Sequence, residues 1–264
     1  MVMLALTGCV STAAPPTALP SIPATAGLVV RSFHTGLTFP RPAEVRSARY
    51  GTAVVLTFKA EPAAILAGYL DGDLLRAVSA MDAAGGRWFV GYWHEPESSL
   101  SPQEYREAFR HVAELIGERQ NVSTIAVLMA STFAAGDAGV WYPGDDVVDS
   151  LGVDGYDWRG CRDNGGSAAA GVGSRSFGSI MGDALVFASA HGKPVVATEF
   201  ATAQDPAAPD FRLRWLGDAA RWLATRPQVI GGAYFDHGTH DGFRCDWSLS
   251  ERERRALTEL WPDG

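Results

Sequence analysis

The sequence predicts an α/β protein: a TIM-type barrel of eight β/α units, (β/α)8, whose first strand is either missing or irregular. Three observations predict it. Short apolar or β-branched runs recur at 27–33, 53–58, 88–93, 124–129, 152–156, 194–199 and 229–235, seven in all. Longer Ala-, Leu- and Arg-rich segments with helical spacing lie between them. No Gly-x-Gly-x-x-Gly turn follows the first run, which removes the dinucleotide-binding alternative. Near-continuous apolar strands alternating with helices describe a parallel sheet sheathed by helices. Seven such strands suit a barrel better than a doubly wound open sheet.

The elements follow in chain order. Met1 to Thr7 is apolar, and Leu6-Thr7-Gly8-Cys9 looks like the lipobox of a bacterial lipoprotein signal, in which Cys9 becomes the lipidated first residue. The run is too short to span a bilayer. No Lys or Arg precedes it, so the natural start is expected upstream. Residues 10–26 are rich in Pro, Ala, Ser and Thr and carry no charge, as a flexible or polyproline-like tether would. The expected division is a signal remnant and tether over 1–26 and one barrel domain over 27–264. Helices are expected at 74–84, 102–117, 177–190 and 211–225. The second of these is the clearest. Ser101 stands as N-cap, Pro102 opens the first turn, Glu104 follows three residues after the cap and Gly117 stops the helix. Tyr105, Phe109, Val112 and Ile116 then recur at three- and four-residue steps.

With 264 residues and 47% hydrophobic content, the chain can bury a full core in one domain. Its net charge of -8 argues against nucleic acid and anionic membrane as partners, since both need a positive face. Any membrane association is expected only through a lipid on Cys9. Eight Trp are enough to fill part of the core and still provide stacking platforms for a flat ligand such as a sugar ring.

The chemistry is concentrated where strands end. "RWFVGYWHEPE" drives an apolar run into His94 and Glu95, and "KPVVATEF" drives another into Glu199. In a β/α barrel the active site lies at the carboxyl ends of the strands. Two carboxylates ending separate strands there face each other across the mouth. Glycosidic bond cleavage needs such a pair, one carboxyl protonated and the other ionised.

With those residues in view, the chain from about 27 to 262 resembles glycoside hydrolase family 26, a β-mannanase-containing family in the clan of retaining barrel hydrolases. The resemblance is carried by "WHEPE" at 93–97, "WYPGDDVVDSLGVDGYDW" at 141–158 and "KPVVATEF" at 193–200. It implies Glu95 as acid/base and Glu199 as nucleophile, on the fourth and seventh strands. It implies His94 as the neighbouring histidine that contacts sugar, and Tyr156 as the phenol that hydrogen-bonds the nucleophile. The sequence departs from the family's mannanases at Glu97, where they carry Asn, and at Ser98, Ser99 and Leu100, where a Trp would soon follow.

Other residues are placed by position. Trp158 and Trp141 are expected as substrate contacts beside the sixth strand. Asp236 follows the last strand and is expected to bond a sugar hydroxyl. Arg31 and His34 close the first strand and Lys59 the second, and all three are expected near the cleft. Cys161 and Cys245 follow the sixth and eighth strands, on the same face, and in an exported protein they are expected to form a disulfide. His237, His240 and Asp241 lack the spacing of a metal site, so neither metal nor cofactor is expected. The expected protein is an extracellular or cell-surface, lipid-anchored, monomeric, endo-acting β-glycoside hydrolase. Its expected substrate is a β-glycan, foremost β-1,4-mannan. A surface carbohydrate-binding protein on a decayed barrel is the alternative.

Overall fold

A computed structural model describes residues 4–6, 29–158, 174–205, 208–238 and 246–260. Seven strands lie parallel: β2 (Val30–Thr35), β3 (Val54–Lys59), β4 (Trp88–Tyr92), β5 (Val122–Met129), β6 (Ser150–Asp157), β7 (Val195–Thr202) and β8 (Val229–Tyr234). They correspond to the seven apolar runs, and their neighbours in the sheet are their neighbours in sequence. Helices connect them: α1 (Pro42–Arg49), α2 (Pro62–Leu66), α3 (Asp71–Ala84), α4 (Pro102–Ile116), α5 (Ala130–Ala134), α6 (Ala138–Trp141), α7 (Phe177–Ala190), α8 (Phe211–Ala224) and α9 (Glu251–Leu260). This is the β/α barrel that the sequence predicts, with an irregular first strand. In its place stands β1 (Leu4–Leu6), which pairs antiparallel with β8, Leu4 opposite Tyr234, and lies beside β2. That segment falls in the part of the chain expected as signal and tether. Cys9, Cys161 and Cys245, with His240 and Asp241, lie outside the described residues.

The strands are buried along their length because side chains on one face fill the barrel and those on the other meet the helices. Helix α4 shows how locally the sequence decides an element. Ser101 Oγ accepts from Glu104 N–H, and the Glu104 carboxylate accepts from Ser101 N–H at 3.0 Å, the reciprocal cap that the sequence predicts. Its apolar stripe, Tyr105, Phe109, Val112 and Ile116, is buried. Gly91 in β4 answers to packing. A Cβ there would stand 2.6 Å from Ile125 O, so glycine lets the strand leading to Glu95 close against β5. His34 does not reach the barrel mouth. It points outward, where Nε2 meets Glu44 at 2.9 Å beside Ser32, and this buried cluster ties β2 to α1.

The far end of the chain is fastened by Arg212 of α8, which is 2% exposed. Its guanidinium donates to Thr202 O at 3.1 Å, Ser248 O at 2.7 Å and Asp246 O at 2.6 Å, and pairs with Glu253 at 3.3 Å. Arg212→Met strips three carbonyls of a donor and leaves the buried Glu253 carboxylate without its counter-charge. It is expected to lower stability by about 3 kcal/mol, the scale of a broken buried pair. Urea unfolding monitored by tryptophan fluorescence checks this, and a loss below about 1 kcal/mol would place Arg212 among ordinary surface pairs.

Candidate active site

Strand β4 ends at Tyr92, and the chain then crosses the barrel mouth through two left-handed residues, Trp93 (φ 51°) and Glu95 (φ 49°). Non-glycine residues enter that region at a cost of about 1–3 kcal/mol, and such strain gathers at functional sites. Here Glu95 N–H donates to Val127 O at 3.2 Å and a short 3-10 turn, Pro96–Ser98, follows at once. The result is that His94 and Glu95 both line the cleft.

Glu199 arrives from β7 by a different device. The strand does not end there, as the sequence predicts, but continues to Thr202. Between Ala197 and Phe200 it holds one more residue than β8 pairs with. Against β6 the register slips by the same single residue, with Gly152 opposite Val196 and Asp154 opposite Glu199. A bulge of this kind re-aims side chains. Consecutive residues Thr198 and Glu199 consequently both meet Asp154, where strict alternation would send one of them outward.

The surroundings act on the two glutamates through different neighbours. Burial foremost, then the charges of Glu199 and Glu97, raise the Glu95 carboxyl to about 7, against the pull of Lys59 and Arg31. Burial raises Glu199 as well, and its carboxyl stands above the usual range even though four neighbours favour its ionised form. The Arg31 guanidinium stands 3.7 Å away, Tyr156 Oη donates to Glu199 Oε2, Asp154 donates to it and Lys59 adds positive charge. Asp154 can donate because burial and the Glu199 charge hold its own carboxyl well above the usual range. Its Oδ2 is buried and accepts no hydrogen bond from the protein. Tyr156 keeps its proton for the same reasons, burial first and then the neighbouring carboxylates.

His94 is neutral. Burial, with Arg31 and Lys59 adding to it, lowers its pKa to about 2. Thr57 Oγ1 accepts from Arg31 at 2.8 Å and lies 3.0 Å from His94 Nδ1.

His94, Glu95, Asp154, Tyr156 and Glu199 line a cleft of about 720 Å³. One wall is aromatic. Trp247 stacks on Tyr156 with centroids 4.8 Å apart, Trp158 packs edge-on against Trp247 at 5.3 Å, and Phe235 completes the group. Trp247 was not singled out in the sequence. It lies in the stretch after the last strand, with no periodic pattern to mark it. Three expected contacts are placed elsewhere. Arg31 is fully buried and serves Glu199 from beneath. Trp141 sits on α6, where its ring packs against Tyr105 of α4 at 6.3 Å. Asp236 accepts from Leu249 N–H at 2.8 Å and pairs with Arg254 at 2.6 Å, so it anchors the loop to α9. In each case a nearby charge, backbone donor or aromatic ring claims the side chain. His94, Tyr156 and Trp158 are brought to the cleft with Glu95 and Glu199.

A β/α barrel that presents an acid and a base carboxylate from β4 and β7 beside an aromatic wall defines a glycosidase-type barrel. Residues 77–169 match the model of glycosyl hydrolase family 26. The matched stretch carries Glu95, Asp154 and Tyr156, while Glu199 follows it. The chain is 26% identical over 168 residues to Endoglucanase H of Acetivibrio thermocellus, an alignment that covers 62% of this chain and 17% of that protein. It thus spans about a sixth of the length of that curated relative. Among solved structures it is similar to GH26C from Muricauda sp., with a TM-score of 0.56 and 16% identity over 81% of this chain and 68% of the other. A fungal beta-1,4-galactanase gives a TM-score of 0.58 at 16% identity, covering 85% of this chain and 83% of its own. At such identities these two likenesses speak for the barrel fold alone.

Proposed function

We propose that the chain is an exported, endo-acting β-glycoside hydrolase working by the retaining mechanism, with β-1,4-mannan as its foremost substrate. One observation carries the reading. A carboxyl that titrates near neutrality, Glu95, shares a cleft with a carboxylate, Glu199, held by a cation and two proton donors. In the first step a Glu199 oxygen bonds to the anomeric carbon as the glycosidic C–O bond breaks, and Glu95 gives its proton to the departing oxygen. In the second, Glu95 takes a proton from water, the water oxygen bonds to the anomeric carbon, and Glu199 is released. The His94 ring lines the cleft where it can bond a sugar hydroxyl, and the Trp158 and Trp247 wall offers a face for a sugar ring. Export, lipid attachment at Cys9 and a monomeric state belong to the same proposal and rest on the reading of the leader.

The test is reducing-sugar release from mannan, glucomannan, mixed-linkage glucan, xylan and cellulose. Release from mannan alone supports the proposal in full. Release from another polymer changes the substrate. Binding without release favours the carbohydrate-binding alternative. Tyr156→Phe probes the nucleophile's support. The ring still stacks on Trp247, but Glu199 loses a donor to its ionised form. The expected result is a fall in kcat of about 100-fold, as for loss of one preorganised donor. KM should change little, and the acidic limb of the pH profile should move to higher pH because Glu199 becomes harder to ionise. An unmoved acidic limb would deny Tyr156 this role.

A further inference from the structure

A third carboxylate, Glu97, stands behind the acid/base, at the position where the sequence departs from the Asn of related mannanases. The turn Pro96–Ser98 directs it away from solvent toward the start of α5. Its Oε1 accepts from Met129 N–H at 2.9 Å and from Thr132 Oγ1 at 2.7 Å. Its Oε2 is buried without a protein partner, as is the hydroxyl of Tyr105, and the Glu97 charge acts on that phenol. A half-buried carboxylate with one oxygen bonded twice and the other buried and bare is costly to keep. Its bonds span from the acid/base turn to the β5–α5 corner, and the segment they brace contains the left-handed Glu95.

We propose that Glu97 is the positioning residue of the acid/base, its carboxylate bracing the left-handed turn that presents Glu95 and fixing a negative charge behind it. The proposal rests on the hydrolase reading for what Glu95 does. The brace rests on contacts alone. Apart from it, the two strained residues are held by the backbone, Trp93 N–H to Phe58 O at 2.9 Å, Glu95 N–H to Val127 O at 3.2 Å and Ser98 N–H to Glu95 O at 3.4 Å, and none of these ties the turn to α5. The electrostatics run the same way. The groups that face Glu95 are Glu199 on β7, Lys59 on β3, Arg31 on β2, Asp154 and Tyr156 on β6, and Glu97 on its own turn. Glu199 and Glu97 raise its pKa, whereas Lys59 and Arg31 lower it. Once Glu199 is consumed as a glycosyl ester, it no longer carries a charge. The Glu97 carboxylate stays beside Glu95 through the second step, where it favours the proton that Glu95 takes from water.

Glu97→Gln separates the two parts, since its amide oxygen still accepts from Met129 and Thr132 while the charge is gone. Glu97→Ala removes both. The primary readout is the Glu95 titration, followed by NMR of the 13C-carboxyl-labelled full chain and assigned with Glu95→Gln. This needs no turnover. Glu97→Gln is expected to lower the Glu95 midpoint by about half a unit or more, and the alkaline limb of the pH–rate profile should follow by the same amount. Glu97→Ala is expected to lose more than about tenfold in kcat with KM little changed, the sign of misplaced acid/base chemistry rather than lost binding. An unmoved Glu95 titration in folded Glu97→Gln overturns the proposal. So does a Glu97→Ala variant with wild-type kcat. If Glu97→Ala fails to fold, the Gln variant decides. A wild-type chain inactive on every glycan, with the titration shift present, would sink the hydrolase reading and leave the Glu97 charge effect standing.

Discussion

Glu199→Gln is expected to abolish hydrolysis of whichever polymer the wild-type chain cuts, with kcat falling on the order of 10⁴-fold or more, the scale for removing a nucleophile. The fold is expected to survive, and the site shows why. Arg31 is fully buried and loses its partner charge at 3.7 Å when Glu199 becomes an amide. An isolated buried cation would be severely destabilising. Asp154 relieves it. The carboxyl of Asp154 is held up by burial and then by Glu199, while Arg31 pulls it down. Removing the Glu199 charge lets Asp154 ionise and take over as counter-charge. The double variant Glu199→Gln/Asp154→Asn has no such reserve and should unfold at markedly lower temperature than either single variant. Thermal unfolding of the four proteins measures this coupling, and additive losses would refute it. A Glu199→Gln variant that keeps more than about a hundredth of wild-type kcat would place the nucleophile elsewhere.

Much of this was legible in the sequence, for identifiable reasons. The seven parallel strands were visible because strands buried on both faces read as continuous apolar runs. Helix α4 was visible because its cap is written in four adjacent residues, Ser101 to Glu104. Glu95 and Glu199 stood out because a charge is unexpected at the close of an apolar run. What escaped depends on distance in sequence. The bulge that aims Glu199 is a matter of register between strands, and a single strand's sequence carries no register. The short helices α2, α5 and α6 have too few turns for a periodic stripe. Arg31 and Asp236 look like cleft residues by position, but each is claimed by a partner more than ten residues away. Trp247 reaches the cleft from a loop with no regular spacing, so only its residue type hinted at it.

The second large effect is on pH dependence. In the proposed mechanism Glu95 serves as an acid only while protonated. With its pKa raised to about 7, by burial first and then by Glu199 and Glu97, half the sites are competent at neutrality. The rate kcat/KM is therefore expected to fall about tenfold per pH unit above that point. Glu95→Gln should lose that alkaline limb and drop kcat by about 10²–10⁴-fold on natural polymers, the range for a positioned general acid. On an aryl glycoside whose phenolate leaves unaided, the first step should stay fast in this variant. The glycosyl-enzyme should then accumulate, because no base activates water, and a burst of phenolate followed by near silence is the expected trace. Stability should carry the same signature in reverse. The folded-state pKa lies above the ordinary value of 4.5. The wild type's advantage is thus complete below 4.5 and lost as pH rises through about 7, where the chain must bury a charge. Glu95→Gln has no charge to bury, so it should unfold at higher temperature than wild type at pH 8, with the gap closing near pH 5. An alkaline limb that persists in Glu95→Gln would assign the proton to another group, and a wild type as stable as the variant at pH 8 would mean that Glu95 is solvated rather than held in a dry cleft.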